Sequence, residues 1–415
     1  MKKEKERRVQ RAGEGSLPEL EEFLEEVGID LGDKRRERAM ERYMTGLLTD
    51  HPNKNCETIA EVVPGTNEQR LQALLTSMEW DEWELNRRRV GVMKGMGSEG
   101  DGVLLLDPTD FPKQGKMSVG VASQYSGSLG KIANCQVTVN CYYAERNVAW
   151  PVSTRLYLPK SWAEDPERCQ KAGIPEEEVE YKKRTAIAME LLNEAKAMGI
   201  RYRAVVGDAE LGDKSEFLDS LEVHRERYVM DVNKDFRVSL SRKGPSQRAD
   251  DLTAALPKSA WQMVRWREGS EGRWLRGSFT YVRCWRVDGQ GRHTIGWLIA
   301  ERELPDGEGR NKWHWSNFPP STPLLRLVEL AHRRHHIEQF HQEAKTLLGW
   351  DQYQGRLWQG FHRNAILVML AYSFLVWLEF KQRQFIKLPG RPRQAFSPSI
   401  GSSSSISAYH PSPHR

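Results

Sequence analysis

Between residues 17 and 97 apolar positions recur every three or four residues, in "LPELEEFLEEVGIDLG", "RRERAMERYMTGLLT", "NCETIAEVVPG" and "TNEQRLQALLTSMEWDEWELNRRRVGVMKGM". That is the period of amphipathic helices. In the last segment Thr66 or Asn67 is the expected cap, ahead of Leu71, Leu74 and Leu75. From Gly102 the period changes. "GVLLLD" is a continuous apolar run that predicts a buried strand, ended by Asp107 and broken by Pro108. "KMSVGVASQY", "ANCQVTVNCYYA" and "VAWPVSTRLYLP" predict further strands, and "EEEVEYKKRTAIAMELLNEAKAMGI" a helix closed by Gly199. A second buried run, "YRAVVGDAELGD", places Asp208 just past a strand; a short helix and the strand "RYVMDVN" follow. Residues 236–320 are rich in tryptophan-bearing β-type segments separated by Gly and Asp turns. The stretch 321–350 reads as one long helix, with Ser321 or Thr322 as cap and Gly349 at its end. A last packed helix follows, whose apolar run of about 14 residues is too short to span a bilayer.

Composition narrows the setting. A net charge of +5 in 415 residues suits a nucleic-acid partner. Five cysteines form no CxxC pair and are odd in number, which argues against a zinc finger or disulfide framework and for a reducing, cytoplasmic setting. The opening "MKKEKERRVQRAGEG" lacks the apolar core of a signal peptide, and no membrane partner is expected. Residues 1–16 read as a basic flexible arm and the Ser/Pro-rich 386–415 as a disordered tail.

Chemistry concentrates in the 321–350 helix. Arg334, Glu338 and Lys345 share one helical face. Alone this could be a solvated ion-pair face. Asp107 and Asp208 change the balance. Strands, helix, strand, helix and strand, with acids at two strand ends, is the order of a ribonuclease H-like α/β domain, and open α/β sheets build sites at strand C-terminal ends. Two aspartates and a glutamate on separate rigid elements suit two divalent ions about 3.5–4 Å apart. Oxygen ligands without Cys or His select Mg²⁺ or Mn²⁺. "GSLGK" lacks the first glycine and the Ser/Thr of a phosphate loop. His332, His335, His336 and His341 form no HExxH and are expected as polar residues on the helix surface. Arg36, Arg38, Arg42, Lys54, Arg87, Arg88 and Arg89 offer cations that lie either on a solvated helical face or against DNA. Arg265 and Trp266, among the interleaved Arg and Trp of 262–287, suit backbone contact and base stacking, although strand tryptophans are more often core.

"RRHHIEQFHQEAK" resembles the R-x3-E-x6-K part of the signature of DDE transposases from bacterial insertion sequences, in the type 4 superfamily and its 701 branch. "LLLDPTDFPKQGKMSVGVASQYSGSLGKIANCQVTV" is similar to that branch's first-aspartate segment and "VVGDAELGDKSEF" to its second; the resemblance spans about residues 42–380. It implies a ribonuclease H-like catalytic domain (101–235 and 321–385) interrupted by a β-rich insertion (236–320) and preceded by a helical domain (17–100). It further implies cut-and-paste DNA transposition with two Mg²⁺ ions held by Asp107, Asp208 and Glu338, with Arg334 and Lys345 on DNA phosphates. Lys113, Lys116, Arg265 and Trp266 are the other expected DNA contacts. The expected partners are duplex DNA with terminal inverted repeats and target DNA, engaged as a dimer at the nucleoid. Three positions depart from the pattern. Ala331 stands at the signature tyrosine, Pro108 follows the first aspartate where a second acid is frequent, and Asp110 replaces a glycine. Asp110 therefore either shares or replaces the role of Asp107, or has none. A silent DNA-binding relative and a nuclease without strand transfer are the alternative functions.

Overall fold

The computed structural model describes residues 12–13, 15, 17–97, 100–268, 273–304 and 310–386, with side chains as far as 383. The expectations for the basic arm and the tail lie largely or wholly outside these. Five helices open the chain: α1 (Pro18–Val27), α2 (Lys34–Leu48), α3 (Cys56–Val62), α4 (Glu68–Thr76) and α5 (Glu82–Lys94). Short acceptors start four of them. Asp33 accepts from Arg35 N, Asn55 from Thr58 N, Asn67 from Arg70 N, and Asp81 from Trp83 N and Glu84 N. Each satisfies a donor that the first turn cannot.

Next come β1 (Val103–Pro112), β2 (Ala122–Ser126), β3 (Lys131–Ala144), β4 (Ala149–Leu156), α6 (Lys160–Ala163), α7 (Pro166–Lys171), α8 (Arg184–Ala197), β5 (Ala204–Gly207), α9 (Ala209–Gly212), α10 (Ser215–Val223) and β6 (Tyr228–Val232). The chain continues with β7 (Arg237–Ser239), β8 (Gln247–Arg248), α11 (Ala249–Ala254), β9 (Gln262–Glu268), β10 (Trp274–Val287), β11 (His293–Arg302) and β12 (Lys312–Ser316). It closes with α12 (Leu324–His332), α13 (His335–Thr346) and α14 (Trp358–Ile386).

The strands form one mixed sheet in the order β2-β3-β1-β5-β6-β12-β11-β10-β7-β8, with β4 beside β3 and β9 beside β10. β1, β5 and β6 run parallel, and the strands after β6 join antiparallel through β12. The tryptophan-rich stretch thus extends the central sheet. The middle of α14, from Ala365 to Ala371, is buried throughout and packs against the opening helices and β4. Arg363 on α14 donates to Leu74 O (3.2 Å), Met78 O (2.6 Å) and Trp80 O (2.8 Å), tying α14 to the end of α4 and the loop that follows it.

Four expectations are corrected. Pro108 does not break its strand: β1 runs on to Pro112, paired with β3 throughout. β5 ends level with Leu106, so beyond it that side of β1 has no parallel neighbour and the missing proline donor disrupts no ladder there. The stretch 321–350 is two helices, not one. Arg333 and Arg334 form a tight turn, in which Arg333 N and Arg334 N donate three residues back to Leu330 O (3.1 Å) and Ala331 O (3.3 Å). Neither is a helix breaker, but each guanidinium is drawn to a carboxylate on or before β1: Arg333 to Asp101 and Arg334 to Asp107. Pro323, without a side-chain cap bond, occupies the start where Ser321 or Thr322 was expected. Last, α14 has 29 residues. Its segment Trp358–Arg383 is long and apolar enough to cross a bilayer by length and composition, and 72% of its most apolar window is buried inside the protein.

Candidate active site

Register places three aspartates side by side. Leu106 pairs with Gly207 and Gly207 with Met230, so the next residues, Asp107, Asp208 and Asp231, follow at one level of three adjacent strands. Asp208 caps α9, accepting from Leu211 N at 3.1 Å, which fixes its carboxylate at the strand end. α9 approaches β6 so closely that a Cβ on Gly212 would lie 2.0 Å from Asp231 O. Only glycine allows that contact.

α13 closes the site. Arg334 places its three guanidinium nitrogens on three carboxylates: Nη1 on Asp107 Oδ1 (2.9 Å), Nε on Asp231 Oδ2 (3.1 Å), and Nη2 on Glu338 Oε1. The Glu338 side chain is 53% exposed, whereas Asp107 and Asp231 are largely buried. Burial, opposed by Arg334 and aided by Glu338 and Asp231, pushes the Asp107 carboxyl up to about 7. Burial and the Asp107 charge hold Asp208 well above the usual carboxylate range. Asp231 goes the other way. Burial would raise it, but His314 and the Arg334 guanidinium beside it keep it low.

Two residues that sequence reasoning missed support the aspartates. His314, opposite Asp231 in the β6–β12 register, reaches Asp231 Oδ1 through Nδ1 at 2.7 Å. His341, expected on the helix surface, is buried; its Nδ1 lies 3.4 Å from Asp107 Oδ2 and its Nε2 3.1 Å from Asn140 Nδ2. Burial and the nearby Lys345 push His341 down to about 3, so the imidazole is neutral. Asp231 had the same mark as the other two aspartates, an acid at the end of an apolar run, but "YVMDVN" also fits a half-exposed strand.

The other expected site residues divide. Lys345 donates to Thr109 Oγ1 and Asp110 O, both at 2.8 Å, placing its charge along the continuation of β1. Asp110 points away from Asp107. It accepts from Ser126 Oγ (2.5 Å), Ser128 Oγ (2.7 Å) and Ser128 N (3.1 Å), fastening the β2–β3 hairpin. We expect Asp110→Asn to lower stability by about 1–3 kcal/mol in denaturant melts yet leave the activity of the aspartate site unchanged; lost activity in the folded variant would bring Asp110 into the site. Lys116 and Arg265 are exposed. Lys113 is buried and donates to Asp351 O (3.1 Å) and Tyr353 O (2.6 Å), so its charge anchors the loop after α13. Trp266 is the extra residue of a bulge in β9. It stacks on His332 at 4.1 Å between centroids and meets Phe279 edge-on, so its ring joins the strands to α12. Of the cations in the opening segment, Arg42 on α2, Lys54 between α2 and α3, and Arg89 on α5 are buried and serve internal contacts.

The donor set suits a hard divalent cation, because every candidate ligand offers carboxylate oxygen and a guanidinium already stands among the carboxylates as a cation. Among the described residues no three acidic or imidazole side chains gather round one point as metal ligands do; the carboxylates close on Arg334 instead.

Comparison with known proteins gives two findings. The family described as DDE superfamily endonuclease matches residues 26–273, a stretch that contains Asp107, Asp208 and Asp231 and stops before Glu338. A protein from Microchaete diplosiphon, the probable transposase for insertion sequence element IS701, is 24% identical over 336 residues, which is 78% of each chain. The family match takes in more than half of the sequence, so the chain belongs to the DDE superfamily of endonucleases.

Proposed function

We propose that this chain is an insertion-sequence transposase that cuts the DNA strands at the ends of its element and joins the freed ends to target DNA. The observation that carries this reading is the grouping of Asp107, Asp231 and Glu338 on the Arg334 guanidinium, with Asp208 following the neighbouring strand at the level of Asp107. The relative's function as a probable transposase supports it. In this reading the catalytic segments are 101–235 and 321–385, and the helical segment 17–100 and the strands of 236–320 flank them to hold DNA. Partners are duplex ends with terminal inverted repeats and a target duplex, engaged by a dimer at the nucleoid.

Asp107, Asp208 and Glu338 would hold two Mg²⁺ or Mn²⁺ ions, whose chemistry when bound is to ready a nucleophilic oxygen and stabilise the departing one. The chain's own groups do the rest. His341 and Asn140 hold Asp107 in place, and α9 holds Asp208. Arg334 and Lys345 supply positive charge to the phosphate being cut. In the first step a water oxygen bonds to phosphorus and the 3′ oxygen leaves as a hydroxyl. In the second that hydroxyl attacks a target phosphodiester, whose own 3′ oxygen leaves.

The test is cleavage of a labelled duplex carrying the element's flanking repeats, with Mg²⁺ or with EDTA. Metal-dependent breaks at the element end support the proposal; joined target products complete it. Specific binding without nicking points to a silent copy, and nicking without joining to a nuclease.

A pH dependence follows from Asp107. Its carboxyl is raised to about 7, so the folded chain keeps a proton that the unfolded chain releases near the ordinary carboxylate value of 3.8. In EDTA the contribution of this group to stability is therefore present at low pH and falls as pH rises towards 7. Mg²⁺ needs the ionised form, so its stabilising shift is expected to grow over the same interval. Melting temperatures from pH 5 to 8, with and without Mg²⁺, check both signs; an Mg²⁺ shift that shrinks with pH contradicts them.

A further inference from the structure

Arg334 has three carboxylate partners, and only two of them belong to the proposed ligand set. The third, Asp231, is mounted differently. It sits on β6, between β5 and β12 in the sheet, with one carboxylate oxygen on His314 Nδ1 at 2.7 Å and the other on Arg334 Nε at 3.1 Å. Nε is the guanidinium nitrogen nearest the backbone, and the two terminal nitrogens reach Asp107 and Glu338. His314 lies directly opposite Asp231 in the antiparallel register, so the pair is built into the sheet. A buried guanidinium without an anion is strongly unfavourable, and a carboxylate kept on it removes that penalty.

Resting on the metal-centre reading above, we infer that Asp231 is a positioning residue for Arg334: it holds the guanidinium by Nε so that the terminal nitrogens can release Asp107 and Glu338 to divalent cations. Arg334 and the incoming cations compete for the same two carboxylates. With Asp231 present, the arginine keeps an anion after giving up the others. With Asp231 neutralised, the partners left to Arg334 are the ligands themselves, and cations must displace it from both. Asp231 therefore strengthens cation binding without touching a cation. His314, held by β12, extends this support into the strands that follow the second aspartate. The planar fork of arginine makes the division possible, since its donors point in fixed and separate directions.

The experiment is Mn²⁺ binding by isothermal calorimetry on the full chain, with melting temperature as a folding check. Asp231→Asn is expected to weaken Mn²⁺ binding about tenfold. Arg334→Gln is expected to tighten it, because the competing cation is gone. The deciding comparison is the double variant: in the Arg334→Gln background, Asp231→Asn should change Mn²⁺ affinity less than about twofold. Asp231→Glu, which keeps the carboxylate, should restore most of the wild-type affinity. Weakening of equal size in both backgrounds would make Asp231 a direct ligand and overturn the inference, as would an unaltered affinity in Asp231→Asn. Should that variant fail to fold, Arg334→Gln decides alone, and unchanged or weaker Mn²⁺ binding overturns the proposal. Asp107→Asn separates the two levels. If it binds Mn²⁺ as wild type does, the metal-centre reading itself fails; if it loses binding, any failure above belongs to Asp231.

Discussion

Glu338→Gln, Asp107→Asn and Asp208→Asn are each expected to lower metal-dependent cleavage of an end-bearing duplex by on the order of 10³-fold or more, equivalent to about 4 kcal/mol of transition-state stabilisation. Each replaces a charged oxygen with a neutral amide in a site built from carboxylates, so cation binding suffers directly. The fold should not suffer. Glu338 is half exposed, and its one strong partner, Arg334, keeps Asp107 and Asp231. Asp107 and Asp208 already resist ionisation through burial, so a neutral amide of the same shape removes a buried like-charge pair. The metal-free Asn variants are therefore expected to melt at or slightly above the wild-type temperature, as happens where function holds charges together against stability. The measurement is gel-resolved cleavage beside a binding assay on the same duplex. A variant that still cuts is excluded from the metal-binding set, and one that neither folds nor binds shows that the carboxylate has a structural role.

The features legible in the sequence were those set by local pattern. Asp107 and Asp208 stood out because each ends an apolar run long enough to be a buried strand, and the sheet then brought the two ends together. A cap at Thr66 or Asn67 was expected ahead of the apolar positions Leu71, Leu74 and Leu75, and Asn67 takes that place. The i, i+4 spacing placed Arg334 beside Glu338, and the structure joins them. Features that depend on distant pairing were not legible. His314 lies 83 residues from Asp231, and only the β6–β12 register makes them partners. The turn at Arg333 and Arg334 carries no proline or glycine, and both residues keep helical backbone angles while pairing with Asp101 and Asp107. His341 looked like a surface residue because its neighbours are polar, yet its side chain turns inward against Asp107. Composition also misled for cations. Lys54 and Lys113 bury their ammonium groups on backbone carbonyls, a use of lysine that residue type alone does not reveal.

Arg89 is the strongest case of a buried cation, and its removal is expected to have a large effect on stability. It is fully buried on α5. Its guanidinium donates to Pro151 O (2.7 Å) and Val152 O (2.8 Å) on β4, to Ser373 Oγ (2.8 Å) on α14, and to Asn86 Oδ1 (2.7 and 3.1 Å) on its own helix. One side chain thus joins the opening helices, the sheet and the last helix. Burial pulls the guanidinium down to about 9 from its ordinary value, a measure of how poorly water reaches it. Arg89→Met keeps most of the volume but takes this donor from Pro151 O, the Ser373 hydroxyl and Asn86 Oδ1, while Val152 O keeps a bond from Asn86 Nδ2 at 3.0 Å. Each such loss is worth about 1–3 kcal/mol, and the losses overlap because the acceptors are neighbours, so the total expected is about 3–5 kcal/mol. Chemical denaturation of the full chain measures it directly; a change below about 1 kcal/mol would mean that water or a shifted Asn86 replaces the donors. The same variant tests whether Arg89 takes part in the proposed contact with DNA. If Arg89 acts only inside the fold, DNA binding at low denaturant and low temperature, where the variant is folded, should match wild type and keep its salt dependence. A shallower salt dependence in the folded variant would instead show that the helices open on DNA and expose this arginine to phosphate.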